Sequence, residues 1–330
     1  MSRPGACIGR RWLTLLRREW WEHRGGFLLA PLAVLVVVLL GATLVLGAAS
    51  SQETTLRYET QEQHGADTST RTFEWQGSLV GLLDFRQWSK PEFERRAARF
   101  RALIAQPFVI VHFLVAVFVL LGSLHDDRKD RSVLFWKSMP VGDVETVASK
   151  LVLAVWVAPL VTVTAILLAQ LGTLGLLSVF GHAAGAGGVG QLWLHAGLPA
   201  GTLTLLTGYL VQGLWALPVY AWLLLVSAAA AKVPFVWALL VPAGLAALES
   251  VALGSAELWD WLNAHLRLAA LPRPPGSLLG TGFGDATAEP GVGLPEQLAL
   301  LFSAEMASGL AVAALLLAAA VHFRRRNNDL

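Results

Sequence analysis

The sequence predicts an all-α integral membrane protein. Six transmembrane helices follow an amphipathic amino-terminal helix, and a long charged joint separates the second span from the third. Three observations carry this reading. The 330 residues are 55% hydrophobic and only 15% charged, with a mean hydropathy of +0.57, whereas soluble domains carry about 25% charged residues. The charges are swept into the joints between long apolar runs, as a medium without water requires. Six of those runs are long enough to cross: 27–49, 107–124, 151–177, 203–230, 234–253 and 304–323.

The first 26 residues read as a cytoplasmic amphipathic segment. Trp12, Leu13, Leu16 and Trp20 recur at helical spacing, with Arg10, Arg17, Arg18 and Glu22 interspersed. A helix of this kind lies in the interface, tryptophans at headgroup depth and arginines among phosphates. The run 27–49 measures about 34 Å at about 1.5 Å per residue, enough for a hydrocarbon core of about 30 Å. It exceeds the apolar region of a cleaved signal, about 7–15 residues, and is expected to stay as an anchor.

The joint 50–106 is polar and turn-like in its first half. Its end is helical, with Phe93, Ala97, Phe100 and Ile104 approximating one face. Its length is marginal for a core of its own, so it is expected to cap the membrane domain. Run 107–124 is the shortest and carries His112. Run 203–230 is overlong and contains Pro218, which predicts a kink or a tilt. Pro159 and Pro242 fall in the third and fifth spans, where proline is tolerated better than in soluble helices. After the fifth span, Trp259 and Trp261 read as interface anchors, and the chain then turns Gly- and Pro-rich to Pro290. The alanine runs 228–231 and 311–320 suit close helix packing.

The joint 125–150 is the strongest signal. Two spans need few residues to turn around, yet this link is long, charged and amphipathic. Asp126 to Lys137 can form a helix, which Met139-Pro140 ends because a residue before proline resists helical geometry. Asp143 is expected to cap the next helix and Lys150 to mark the interface. A topology signal explains the basic residues here. It does not explain Val133-Leu134-Phe135-Trp136, four large apolar residues at a polar boundary, which fit headgroups or a partner's groove.

Orientation follows from the basic residues. Fifteen of the 25 Lys and Arg fall in the amino-terminal segment, the joint 125–150, the turn at Lys232 and the tail Arg324–Arg326. Eight more lie in 52–106, a long loop where the rule weakens, accompanied there by eight acids. The short joints place both termini in the cytoplasm.

Several chemistries are excluded or weak. Gly185-Ala186-Gly187-Gly188-Val189-Gly190 has GxGxxG spacing, but follows an apolar span instead of a strand, so a flexible loop is expected. No Gly-x4-Gly-Lys-Ser/Thr, His-Glu-x-x-His or Gly-x-Ser-x-Gly occurs. No catalytic, cofactor-binding or metal-binding residues are assigned. Cys7 is the only cysteine, so no intramolecular disulfide forms. No basic face for nucleic acid is present. His112, Gln170, Gln212, Glu249 and Glu305 lie in or at the ends of spans. The glutamines are expected to bond between helices, and the glutamates to sit at solvated ends.

The pattern Asp127-Arg128-Lys129-Asp130-Arg131, Val133-Leu134, Met139-Pro140-Val141, Asp143 and Lys150 resembles the joint after the second span in permease subunits of ABC transporters, type-2 exporter family. The resemblance in architecture covers nearly the whole chain, and the motif about twenty-five residues. It implies that residues 27–330 form one six-span domain in the cytoplasmic (inner) membrane, with an extracytoplasmic loop 50–106 and a cytoplasmic coupling helix within 125–150. It further implies a separate ATPase subunit that binds ATP and Mg, and a second permease copy, identical or related. Phe135 and Trp136 would then be contact anchors. Asp127, Arg128, Asp130 and Arg131 would set register, with Met139, Pro140, Asp143 and Lys150 completing the ATPase-coupling set. An alternative without an ATPase is a membrane scaffold or assembly protein binding a partner or anionic lipid through the same joint.

The charge distribution makes a testable statement about sidedness. In a chain with Cys7→Ser, an impermeant thiol reagent should reach Trp136→Cys from the same face as cysteines at Ser2 and Asn328. Labelling of Trp136→Cys from the opposite face would overturn the orientation.

Overall fold

The structure, a computed structural model, describes residues 4–51, 53–64, 67–78, 85–129, 142–271 and 293–326. Helix α1 (Pro4–Arg24) runs through a π-helical turn, Gly25–Leu29, straight into α2 (Ala30–Ser51). The amphipathic segment and the first span are thus one continuous rod.

Strands β1 (Glu53–His64) and β2 (Asp67–Ser78) form an antiparallel hairpin, with Glu53 opposite Ser78 and His64 opposite Asp67. This corrects the turn-like expectation for the joint and adds a β element to an otherwise helical chain. The stretch is polar, but it is rich in threonine, whose branched Cβ favours the pleated conformation.

Helix α3 (Lys90–Lys129) fuses the helical tail of the joint with the second span and carries Pro107 within it. Its 40 residues extend about 60 Å, twice the hydrocarbon core. The second span is therefore a rod that projects past the apolar slab, longer than the 107–124 expected. After the joint, α4 (Asp143–Val152) continues through a second π-helical turn, Leu153–Val157, into α5 (Ala158–Ala183).

The glycine-rich loop follows α5, with left-handed backbone at Gly185 (φ +76°) and Gly188 (φ +73°). A Cβ on Gly188 would lie 2.9 Å from the Arg86 backbone nitrogen. The amide of Phe85 donates to the Gly187 carbonyl at 2.9 Å. The glycines admit a close backbone approach, and the helix ahead of them removes the context a dinucleotide site needs.

Short α6 (Gly190–His195) leads to α7 (Leu198–Trp215) and α8 (Leu217–Ala229), which bend by 54° at Ala216. Pro218, at the start of α8, lacks the N–H that would continue the ladder across the break. Helix α9 (Pro234–Leu253) follows a tight turn in which Val233 takes φ +47°, a strained value for a β-branched residue. Helices α10 (Glu257–Leu266), α11 (Leu294–Leu301) and α12 (Ala304–Arg326) complete the described chain. Among the described residues, five helices are long and apolar enough to cross a membrane, and the bent α6–α8 unit makes a sixth when counted as one broken span.

The core lies where α3, α8 and α12 meet. Ala116, Leu120 and Leu124 of α3 pack with Leu224 and Ala228 of α8 and Ala320 of α12. Alanines at this crossing let backbones approach. By contrast, α9 leaves Phe235, Trp237, Leu239, Leu240, Leu248 and Val251 exposed, and α2 leaves Val36, Val37, Leu40 and Leu44 exposed. In water such faces would aggregate; against acyl chains they are the expected outer surface of a helical membrane protein.

Gly208 shows how tightly the bundle closes. A Cβ there would meet the Ala270 carbonyl oxygen at 2.7 Å and Gln297 Nε2 at 2.9 Å, whereas Gly175 has nothing within 4 Å. Gly208→Ala should destabilise the protein by about 1–3 kcal/mol, the usual cost of overpacking. Gly175→Ala should be neutral or slightly stabilising. Thermal unfolding in one detergent compares the two; equal Tm values would contradict the packing described.

Candidate functional site

One pole of the bundle concentrates charge that sequence reasoning saw only in part. Helix α1 presents Leu15 and, one turn on, Glu19 to the interior, and both are buried. Residues four apart share a helix face, so a carboxylate here follows the apolar stripe inward and must find a cation. It finds Lys150 of α4, whose Nζ donates to Glu19 Oε2 at 3.1 Å. The same ammonium lies 3.4 Å from Asp127 Oδ2 at the end of α3. Lys150, Glu19 and Asp127 are respectively 2%, 0% and 3% exposed.

Further cations close the cluster. Arg324, at the end of α12, places Nη1 3.5 Å from Asp127 and donates from Nε to Asp143 Oδ1 at 3.0 Å. Arg325 is 3.8 Å from Asp143. Arg18 lies 3.7 Å from Asp127 and 3.6 Å from Glu22. Four helices, α1, α3, α4 and α12, are thus tied at one point by ion pairs, of which those among Glu19, Asp127, Lys150 and Arg324 are shielded from solvent.

Of the coupling residues expected from sequence, Asp127, Arg128, Asp143 and Lys150 are described, and all four face the bundle. Arg128 Nη2 donates to the carbonyls of Ser227 and Ala230, each at 2.8 Å, satisfying acceptors left open at the end of α8. Ser227 Oγ in turn accepts the amides of Leu124 and His125, each at 3.0 Å. Asp143 does not cap α4. The cap position is Gly142, whose amide donates to Glu145 Oε2 at 3.0 Å, while Asp143 is drawn to Arg324. Lys150 is not at an interface with lipid or water, because two carboxylates hold it inside. Asp130, Arg131, Phe135, Trp136, Met139 and Pro140 lie outside the described residues.

Just inside this hub the two π-helical turns meet. Phe27 of the first packs with Leu153 of the second and with Ala158, flanked by Trp20, Val115 and Val119. Glu19, Glu22 and His23 bring possible ligand atoms within 4.8 Å of one another. Glu19 is committed to Lys150, however, and an ammonium 3.1 Å away opposes a metal cation.

Polar groups at membrane depth are mostly structural. His112 Nδ1 lies 2.9 Å from Thr162 Oγ1, and its ring meets Tyr209 edge-on. Gln212 pairs with the Arg267 carbonyl and the Ala270 amide at 3.1 Å each. Gln170 Nε2 donates to the Arg101 carbonyl at 3.2 Å. Glu249 accepts from Ser255 Oγ at 2.7 Å and from the amides of Glu257 and Leu258, so it caps α10. Glu305 sits in the first turn of α12.

Glu19, Arg18, Arg324 and Arg325 are the hub members that sequence reading missed. Glu19 carried a signal, a carboxylate on an apolar helical stripe. Arg324 and Arg325 carried none, since a basic tail after a last span reads as topology.

Fold and site together define a helical membrane protein whose helices α1, α3, α4 and α12 are locked by charge at one pole. No family model matches the sequence, and neither a curated protein nor a solved structure matches it.

The hub invites a double-mutant cycle. Lys150→Met leaves two buried carboxylates with less compensation and should cost about 3–5 kcal/mol. Combining it with Glu19→Leu should recover part of that loss, so the pair deviates from additivity. Chemical denaturation in detergent measures this, and strictly additive values would deny the coupling.

Proposed function

We propose that this chain is the permease subunit of an ATP-driven ABC exporter of the type-2 family, set in the cytoplasmic membrane with both termini in the cytoplasm. One observation carries the reading: both ends of the segment 130–141 are braced by charged contacts to the bundle, buried at Asp127 and Lys150 and partly exposed at Arg128 and Asp143. Asp127 and Arg128 lead into that segment from the second span, and Asp143 and Lys150 lead out of it toward the third. A solvated topology signal needs no such bracing. A segment that receives force does, because a push at a loosely held loop is lost as local motion.

In this reading a separate ATPase dimer binds ATP and Mg, closes, and presses on the joint through Phe135 and Trp136, with Asp130 and Arg131 setting register. The four braced residues do not touch the ATPase. They pass the load on: Lys150 to α1 through Glu19, Asp127 to α12 through Arg324, and Arg128 to the bent α8 through its terminal carbonyls. The bundle, paired with a second permease copy, then rocks between inward- and outward-open states. Transport requires that a bound substrate or nucleotide prefer one of them energetically.

The test is co-purification from the native membrane. An ATPase chain bearing Gly-x4-Gly-Lys-Ser/Thr should accompany the intact protein. The variant Phe135→Ala/Trp136→Ala should lose that partner by at least tenfold while inserting normally. If the double variant retains it in full, the coupling role falls. If no ATPase accompanies the intact chain and it binds anionic vesicles through residues 125–150 instead, the scaffold reading replaces this one.

A further inference from the structure

Away from the charged hub, a half-open cavity of about 210 Å³ lies among the first turns of α3, the end of α5, α6 and the start of α7. It exceeds the roughly 150 Å³ engineered cavity that accepts benzene, so it can hold a chain segment longer than six carbons. Trp88, Phe93, Phe100, Leu174, Leu177 and Leu192 make up most of its wall, and among the described residues its charged members are Arg96 and Arg101, without a carboxylate.

Arg101 is the unusual member. It is half-buried and donates to the backbone carbonyl of Ala196, and among the described residues no carboxylate pairs with it. Gly197 and Gly201 clear its path: a Cβ on Gly201 would lie 2.5 Å from Arg101 Nε, and one on Gly197 3.0 Å from Nη1. Gly197 takes φ +60° as the residue before α7. The guanidinium therefore rests at the amino-terminal end of an 18-residue helix, where the helix dipole favours an anion and opposes a cation. A charge taken out of water needs a partner, and this one has a polar backbone contact but, among the described residues, no counter-charge. Arg96 sits at the rim, stacked 4.3 Å over Trp88 and paired with Glu92 at 2.7 Å. Gln170, the remaining polar member, is fully enclosed, with its amide nitrogen engaged by the Arg101 carbonyl.

We propose that this cavity binds a single-chain anionic amphiphile, its hydrocarbon chain between the aromatic and leucine walls and its acidic head on Arg101, with Arg96 assisting. The apolar volume selects the chain. The guanidinium, which meets no carboxylate among the described residues and lies beside a helix amino terminus, selects the head. The site does not rest on the transporter reading, since it shares no residue with the charged hub.

The probe is a diazirine-bearing C12 fatty acid, used on the full chain in nanodiscs of neutral lipid, with the matching diazirine alcohol as the uncharged control. Photolabel from the acid should map to Trp88, Leu174 and Leu177, and excess laurate should compete at least tenfold better than dodecanol. Leu174→Trp, or Leu177→Trp if the first lowers Tm, should remove this labelling by filling the cavity. Arg101→Gln should bring the acid down to the level of the alcohol without moving the alcohol itself. Labelling spread along Pro234–Leu253 and indifferent to the tryptophan variants would overturn the site. Equal competition by laurate and dodecanol would overturn the anionic assignment.

Discussion

The ammonium of Lys150, held between the carboxylates of Glu19 and Asp127, is the contact on which the arrangement of this bundle turns. Burying three ions is costly, and a buried ion pair often contributes little net stability compared with apolar residues of the same volume. What such a pair supplies is a penalty for the wrong arrangement. Any slide of α1 along α4 that separates Lys150 from Glu19 leaves charge without a partner in a low-dielectric interior, so the register of these helices is set far more sharply than packing of leucines and alanines alone would set it. Arg324 extends the same constraint to the last helix, and the Arg128–Ser227 contacts extend it to the bent pair.

The two π-helical turns help make the hub compatible with a bilayer. Each places an extra residue in one turn of a helix, and each lies between charged residues that face inward and an apolar span. In α1–α2 the turn at Gly25–Leu29 separates buried Glu19 from the exposed valines and leucines of α2. In α4–α5 the turn at Leu153–Val157 separates Lys150 from the apolar α5. Because Phe27 packs on Leu153, the wide turns buttress each other directly below the ions. The charged pole and the apolar body are thus built on the same rods.

Much of the architecture was legible from hydropathy, because a medium without water forces long apolar runs into helices whatever their neighbours are. The bend near Pro218 was legible for a similar reason, as proline removes a backbone donor wherever it stands. The hairpin was not, since polarity pointed to turns while the β propensity of its threonines acts through cross-strand pairing that no local window contains. The continuity of α3 across Pro107 was hidden by the same kind of local rule.

The residues of the joint stand out in the sequence, but the direction in which the described four point was not readable. Asp127, Arg128, Asp143 and Lys150 sit in a polar stretch that looks solvated in one dimension, and their partners lie far along the chain, from Glu19 to Arg324. By itself the sequence determined that this is a helical membrane protein with a charged joint between apolar spans, because solvation by lipid acts on each segment independently. Only the tertiary structure decided which charges turn inward, because a buried ion is stable solely where the fold delivers its counter-ion.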